Sequence, residues 1–453
     1  MSVPHEVENA RERGHAAAVV VPPLAPGYRR YALSLLMIVF MVNFIDRQVI
    51  NILAEPIKHD LHLADWQLGV MTGLAFALFY STVGMPIARI AERANRPLVI
   101  ASAITVWSGF TSLCSTAQSF AHLVLLRVGV GVGEAGCTPP AHSLIMDYAP
   151  PEKRASALAF YHVGVPLGSL VGLSVGGLVA DAYGWRAAFL WCGLPGLLVA
   201  AIVSLTLPEP RKAFRAQLQA EGATRPSFRE TLRYLGCRRS FWLLSLGAAM
   251  KAFIAYGQAP FTVSFFYRVH GDEVAATAAH FGLKTGGFLG LSLGIIGGLT
   301  GVLGTWIGGQ IADRGARRDL RAYATLPAIA GLLAMPVQIS AFLAPSATVA
   351  LGFLVIASVL GSIWSGPVHA AVLGMAPPNM RATTSSILLF ILNAIGLGLG
   401  PLCIGALSDL FAGPLGQGSA EGVRWALISA STVAIVMAVL FWTARRTLRE
   451  DTA

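Results

Sequence analysis

The chain is 453 residues long, 55% hydrophobic and only 12% charged, with a formal net charge of +10 and a mean hydropathy of +0.64. So apolar a composition excludes an ordinary soluble domain and points to a polytopic membrane protein. A positive balance could also suit nucleic acid, but the basic residues sit in short loops between apolar runs, so topology accounts for them and no nucleic-acid partner is expected.

The first segment, residues 1–28, mixes acids, bases and prolines with no compact apolar core, so it reads as a disordered cytoplasmic tail and not as a signal peptide. Apolar segments long enough to span a bilayer follow near residues 30–54, 66–90, 97–118, 121–147, 155–180 and 186–207. Six more lie near 240–267, 285–311, 321–344, 347–374, 383–409 and 423–444. The fold class is therefore an all-α membrane protein of twelve transmembrane helices. Its two six-helix halves, 29–207 and 240–446, are joined by a polar linker, 208–239, and followed by a short cytoplasmic tail, 447–453.

With the N-terminus cytoplasmic, loops and tails on that side carry 25 of the 33 Lys and Arg residues, against five on the other side (Lys58, Arg186, Arg268, Lys284, Arg424) and three within spans. The bias places both termini in the cytoplasm, with the chain in the plasma membrane. An internal repeat supports the division into halves. Ala91-Glu92-Arg93-Ala94-Asn95-Arg96 returns as Ala312-Asp313-Arg314-Gly315-Ala316-Arg317-Arg318 at an offset of 221 residues, and the loop at Ala149 to Ala155 returns at Ala376 to Ala382 at an offset of 227. Duplicated halves place a substrate site near the bilayer midplane between them, served by alternating access.

The charges inside spans are the candidates for that site. Asn43-Phe44-Ile45-Asp46-Arg47 sets an acid beside a base in the first span; each charge would cost roughly 3 kcal/mol at a bilayer centre, so both are expected to face a protein interior or a wet cavity. At 1.5 Å per residue, Asp46 lies roughly 24 Å in from the cytoplasmic start, in the outer part of a core about 30 Å thick. Arg127 enters from the other side to a comparable level, and Glu134, two turns further along the same face, lies deeper. Two acids and two bases sum to zero, which fits either a proton-handling cluster or a purely structural ion network. A buried carboxylate facing a changing cavity is the candidate proton site, so Asp46 and Glu134 are assigned to proton coupling.

The second half offers Lys251 and His369. Lys251 either faces the cavity or snorkels, and His369, after Gly366-Pro367 in a broken helix, either binds a headgroup or packs through a hydrogen bond. His142 and His162 read as packing residues. Glycines at four-residue spacing (Gly164, Gly168, Gly172, Gly176 and Gly286, Gly290, Gly294, Gly298) let helix backbones approach closely. Gly129-x-Gly131-x-Gly133 lies inside a span with no preceding soluble strand, so it is not a dinucleotide site. Five cysteines without CxxC spacing read as packing residues, and no histidine pair has metal-ligand spacing. No metal, cofactor or enzymatic nucleophile is expected.

Gly309-Gln310-Ile311-Ala312-Asp313-Arg314-Gly315-Ala316-Arg317-Arg318 resembles the cytoplasmic signature of the major facilitator superfamily; in the first-half copy Ala88 replaces the leading Gly, Glu92 the Asp and Pro97 the last basic residue. Asn95-Arg96, Asn43 to Arg47, Arg127, Gly131-Val132-Gly133-Glu134-Ala135, Pro166-x-Gly168-Ser169 and Trp185-Arg186 resemble the spinster-like branch. The resemblance implies a transporter of amphiphilic lipids such as lysophospholipids or sphingoid-base phosphates, with proton involvement. It also implies that the two signature loops, with Glu92, Arg93, Arg96, Asp313, Arg314 and Arg317, help hold a closed cytoplasmic gate. Arg47 and Arg127 suit a phosphate, while the nearby acids would instead suit a zwitterion or an amine; Lys251 and His369 are further substrate-binding candidates, and the apolar second half suits a methylene chain. The expected partners are an amphiphilic substrate, protons and surrounding lipid, with the protein monomeric. The competing readings are a proton-coupled exporter of drugs or other small solutes and a non-transporting receptor or channel.

Overall fold

The computed structural model describes residues 25–150, 153–210, 228–377 and 380–452. The expected tail at 1–24 and the linker stretch 211–227 lie outside the described residues. Among the described residues, twelve helices are long and apolar enough to cross a membrane: α1 (Pro26–Leu61), α2 (Asp65–Gly84), α3 (Arg96–Thr116), α4 (Phe120–Tyr148), α5 (Ser156–Tyr183) and α6 (Trp185–Thr206) form one half. The other holds α7 (Arg239–Val269), α8 (Thr285–Ala316), α9 (Ala322–Phe342), α10 (Ala347–Gly374), α11 (Thr383–Ala412) and α12 (Gly418–Ala444). No strand occurs among the described residues, as expected where lipid cannot satisfy an open sheet edge. An even number of crossings puts both ends of the described chain on one face, here called the terminal face.

The duplication is written into local structure as well as loops. Ser119 caps α4 by accepting from His122 N, and Ser346 caps α10 by accepting from Val349 N. These capping serines are 227 residues apart (119 to 346), and each satisfies one orphan N–H of its helix. A π-helical turn at Val70–Leu74 in α2 recurs at Ile296–Thr300 in α8. α4 breaks between Glu134 and Thr138, and α10 breaks between Ser362 and Ser365, three turns short of the terminal face and just before Gly366-Pro367. Gly184 takes φ +86 in the tight turn between α5 and α6, a conformation that costs other residues more.

Three boundaries differ from the sequence reading. α1 runs seven residues past the expected end, to Leu61, because Ile52, Leu53, Ala54 and Ile57 are buried against the protein's own core. The apolar window closed at 54 since Glu55 and Lys58 follow, but those charges face protein partners, not lipid. The 208–239 linker contains the helix Phe228–Gly236, and the 447–453 tail contains Leu448–Thr452.

The first glycine stripe lies within one half: Gly164, Gly168 and Gly172 sit against the backbone of α1 at Met37, Met41 and Ile45. The second crosses between halves, where Gly290 and Gly298 of α8 meet the carbonyls of Leu173 and Pro166 in α5. Both stripes bring backbones into van der Waals contact, but only the second joins the two halves.

Candidate functional site

Near the midpoint of α1 and the break in α4, the structure gathers Asn43, Asp46, Arg47, Arg127 and Glu134. Asp46 and Glu134 are fully buried and Arg127 is 1% exposed. Because α1 starts at Pro26 and ends at Leu61, Asp46 is near the middle of its helix. Arg47 Nε donates to Glu134 Oε2 at 2.6 Å. Its guanidinium also lies over the rings of Phe76 (4.9 Å) and Tyr80 (4.6 Å), each such contact contributing about 0.5–2 kcal/mol.

Asp46 and Arg127 behave differently. Neither carboxylate oxygen of Asp46 has a hydrogen-bond partner, and neither do Arg127 Nε and Nη1. Trp107 Nε1 and Thr111 Oγ1 stand beside the Asp46 carboxyl as its nearest donors, without well-aligned hydrogen bonds to it. The compensating cluster is thus half closed: one ion pair is made, and the second acid and base are neighbours without being joined. The Phe76 ring is shared by the two arginines, with the Arg127 guanidinium 5.4 Å from the same ring that Arg47 covers.

Small residues on α4 make this packing possible. A side chain at Gly131 would strike Phe76 O, at 2.7 Å, and one at Gly133 would strike Trp107 N, at 2.6 Å. The Gly129-x-Gly131-x-Gly133 spacing therefore seats α2 and α3 against the charged site. Three of the cysteines, Cys114, Cys137 and Cys192, are buried free thiols around it.

On the other half, Lys251 Nζ is half-buried and lies beside Gly361 of α10, with no hydrogen-bond or ion-pair partner among the described residues. His369 Nδ1 donates to Ser365 O at 2.7 Å, which leaves Nε2 as the free nitrogen, and its ring lies 6.0 Å from Trp364. His162, read as a packing residue, is exposed. Its ring stands 5.5 Å from His142 and 5.4 Å from Phe40, on the first-half wall facing His369. Tyr256 of α7 faces Arg47. Among the described residues no His, Cys, Asp and Glu group could hold a metal ion.

Among the described residues, the terminal-face candidates form no cross-half link. Arg96 is buried and binds Glu209 in a paired contact, together with Asp147 Oδ2 (2.7 Å) and Ser143 Oγ (2.9 Å), all in the first half. Asp313 is exposed and accepts from Tyr323 OH at 3.1 Å within the second half; Arg314 and Arg317 are exposed. The side chains of Glu92 and Arg93 lie outside the described residues.

The opposite face holds what sequence reading missed. Arg268 of α7 grips Glu55 of α1 (2.8 Å) and Asp65 of α2 (2.7 Å) from the other half, and Lys58 adds a second cation to Asp65. Ser408 of α11 donates to Asp65 Oδ2 at 2.6 Å, and Asp409 accepts from Asp65 N and Trp66 N. Asp181 of α5 accepts from Gly286 N and Gly287 N of α8, while Lys284 Nζ donates to Asp181 O. Arg268, Lys58 and Lys284 were visible in the sequence only as loop charges. Their partners lie up to 213 residues away, and no local spacing marks them. The halves are thus bonded on the face opposite the termini and, among the described residues, unbonded on the terminal face.

The Major Facilitator Superfamily profile matches residues 36–401. An MFS-type efflux pump of Mycolicibacterium smegmatis is 33% identical over 420 residues, covering 93% of each chain. Protein spinster of Drosophila melanogaster is 24% identical over 418 residues, covering 89% of this chain and 66% of that protein. Among solved structures, a bacterial homolog of the human lysosomal transporter spinster, inward-facing and unoccupied, superposes with a TM-score of 0.82 at 33% identity, covering 94% of this chain and 99% of that one. Family and fold are those of transporters, and the chain belongs to the major facilitator superfamily, in its spinster-like branch.

Proposed function

We propose that the protein is a secondary active transporter that moves a single-chain amphiphile of lysophospholipid or sphingoid-phosphate type by alternating access, coupled to protons. The observation that carries the reading is the unequal treatment of two buried carboxylates in one site: Glu134 is locked to Arg47, whereas Asp46 is in no ion pair among the described residues and has only the donors of Trp107 and Thr111 beside it. A carboxyl group outside an ion pair can exchange a proton without first breaking one, and its charge then sets how strongly Arg127 is held. Asp46 is therefore the proton site, with Glu134 the partner that feels the change through Arg47.

The anionic headgroup sits against Arg47 and Arg127 once protonation or rearrangement frees a guanidinium edge, and planar guanidinium groups grip phosphate through paired hydrogen bonds. Lys251 and the free Nε2 of His369 supply further contacts from the second half. The excess of Lys and Arg on the terminal face supports a cytoplasmic location for both termini in the cell's plasma membrane. The bonded opposite face then corresponds to an inward-facing state, in keeping with the inward-facing relative that superposes well. Glu92, Arg93, Arg96, Asp313, Arg314 and Arg317 act when the terminal face closes. The chain is taken to work as a monomer.

Reconstituted protein with a labelled single-chain phosphate amphiphile tests this: uptake into liposomes is expected to depend on a pH gradient and to increase with chain length. A second reading, export of a compact organic solute, is favoured by the 33% identity to an efflux pump. A polar solute that competes equally well, with no effect of chain length, would select it.

A further inference from the structure

Arginines crowd the terminal face of the second half, and four of them have nothing to hold. Arg229 and Arg233 on the helix Phe228–Gly236, Arg239 at the start of α7 and Arg446 just past α12 are exposed, with no side-chain partner among the described residues. Their neighbours are engaged. Arg238 donates to Asp451 O at 3.2 Å and lies 3.9 Å from the Tyr234 ring centroid, and the Arg445 guanidinium lies 3.9 Å from that of Trp442. Of the nearby acids, Asp451 accepts from Ser240 N at 2.8 Å and Glu230 has a partner of its own, while Glu450 is exposed.

The packing sets these arginines at one level. Ser240 Oγ is 2.7 Å from Thr447 Oγ1 and donates to Ala444 O at 3.3 Å, so the start of α7 is held against the end of α12 and Arg239 and Arg446 leave the bilayer side by side. On α12 the exposed residues Ile435, Val439 and Trp442 follow a helical stripe toward lipid, and Arg446 stands one turn beyond it. An exposed Trp at the end of such a stripe marks the headgroup level.

The helix Phe228–Gly236 adds an apolar flank to the charge. At about 100° per residue, Thr231 and Leu235 fall on one side, and both are buried; Tyr234 OH donates to Met375 O at 3.3 Å and fastens the helix just past α10. Phe228 and Leu232 fall on the next side and are 39% and 38% exposed. Arg229 and Arg233 follow beyond them. The order around the helix is protein, exposed apolar, arginine, which is that of a helix lying in a bilayer surface. A segment made positive only to fix topology needs the arginines but not the apolar flank.

We propose that this patch is a docking site for anionic phospholipid headgroups of the leaflet on the terminal face: Phe228 and Leu232 enter the acyl boundary, and Arg229, Arg233, Arg239 and Arg446 bind the lipid phosphates. Charge complementarity names the occupant, because unpaired guanidinium groups grip phosphate through paired hydrogen bonds, and the flank beside them needs an apolar layer that no soluble anion supplies. The site lies apart from the midplane cavity and does not depend on what is carried there. Because the helix ends the polar linker, the bound leaflet fixes where that linker enters the second half.

The test is the depth of a nitroxide at Leu232→Cys, in full-length protein with Cys237→Ser and Cys403→Ser, reconstituted in phosphatidylcholine nanodiscs titrated with phosphatidylglycerol. The label is expected to pass from accessible to a water-soluble nickel relaxant to accessible to dissolved oxygen as phosphatidylglycerol rises, and to return to water at high salt. Arg229→Gln should raise the phosphatidylglycerol fraction at the midpoint by up to about fivefold, and Arg229→Gln with Arg233→Gln should remove the transition. Since those two side chains hold no described protein group, the fold should survive; if it does not, the titration without the Arg→Gln changes decides alone. A label that stays in water in every bilayer would overturn the proposal, as would one already buried in pure phosphatidylcholine and indifferent to phosphatidylglycerol. The same change produced by glycerol phosphate in pure phosphatidylcholine, or immobilisation by polyglutamate and not by anionic lipid, would replace the lipid with a soluble anion or an acidic protein and refute it.

Discussion

The two faces of the molecule use similar residues to opposite effect. On the face opposite the termini, Arg268, Asp65, Asp409 and Asp181 bond across the halves. On the terminal face, the bonds seen among the described residues join Arg96 to Asp147 and Glu209, and Asp313 to Tyr323, without crossing between the halves. A transporter that alternates needs this inequality: one set of links must be satisfied while the other waits, so that a modest bias tips the balance. On the proposed mechanism the repeated charged motif belongs to the face that closes in the other state.

Removing the latch should have the largest effect. Arg268→Ala takes the cross-half cation from buried Glu55 and leaves buried Asp65 with Lys58 and Ser408 alone, at a cost of up to about 3–5 kcal/mol to the state seen here. Spin labels placed at the ends of α1 and α8 on that face should show a new, longer separation; an unchanged distance distribution would mean the latch does not hold the halves. Next comes the glycine seam between α5 and α8. Gly290→Val would drive a branched side chain into Leu173 O and should also favour separation, whereas Gly297→Val, with no atom near its Cβ position, should be silent. Equal behaviour of the two in the same distance measurement would deny the seam its role.

On the terminal face, Asp313→Ala should leave the present state intact and weaken the one in which that face closes. Distances between the terminal-face ends of α5 and α8 should shift toward the open value with substrate affinity nearly unchanged. Lower affinity with unaltered distances would contradict this. The smallest effect concerns His270, just beyond α7. Burial holds its imidazole below the ordinary 6.5, against a contrary pull from Glu273 and with Arg424 adding to the depression. A depressed imidazole contributes stability that is present above pH 6.5 and lost as pH falls toward its folded value. Thermal melts should therefore drop slightly more for wild type than for His270→Gln between pH 7 and 5; parallel pH profiles would refute it.

Much of this was legible in the sequence, and for identifiable reasons. Apolar length gave the twelve helices, the loop repeats gave the two halves, and the cost of burying charge singled out Asp46, Arg47, Arg127 and Glu134. What could not be read was pairing. Charge balance could not say that Arg47 would take Glu134 and leave Asp46 and Arg127 unjoined, because that depends on how α1, α2 and α4 pack in three dimensions. Nor could glycine spacing say which stripe faces its own half. The opposite-face latch was hidden because its charges sit where solvated loop ends are expected. The end of α1 was hidden because hydropathy measures fitness for lipid, and those turns contact protein.

The central claim, that Asp46 is the coupling group, is tested most directly by Asp46→Asn in proteoliposomes, a change that keeps volume and removes titration. Substrate exchange without a gradient should persist, while uptake driven by an imposed pH gradient should be lost. Gradient-driven uptake at the wild-type rate would contradict the account and move the proton to Glu134.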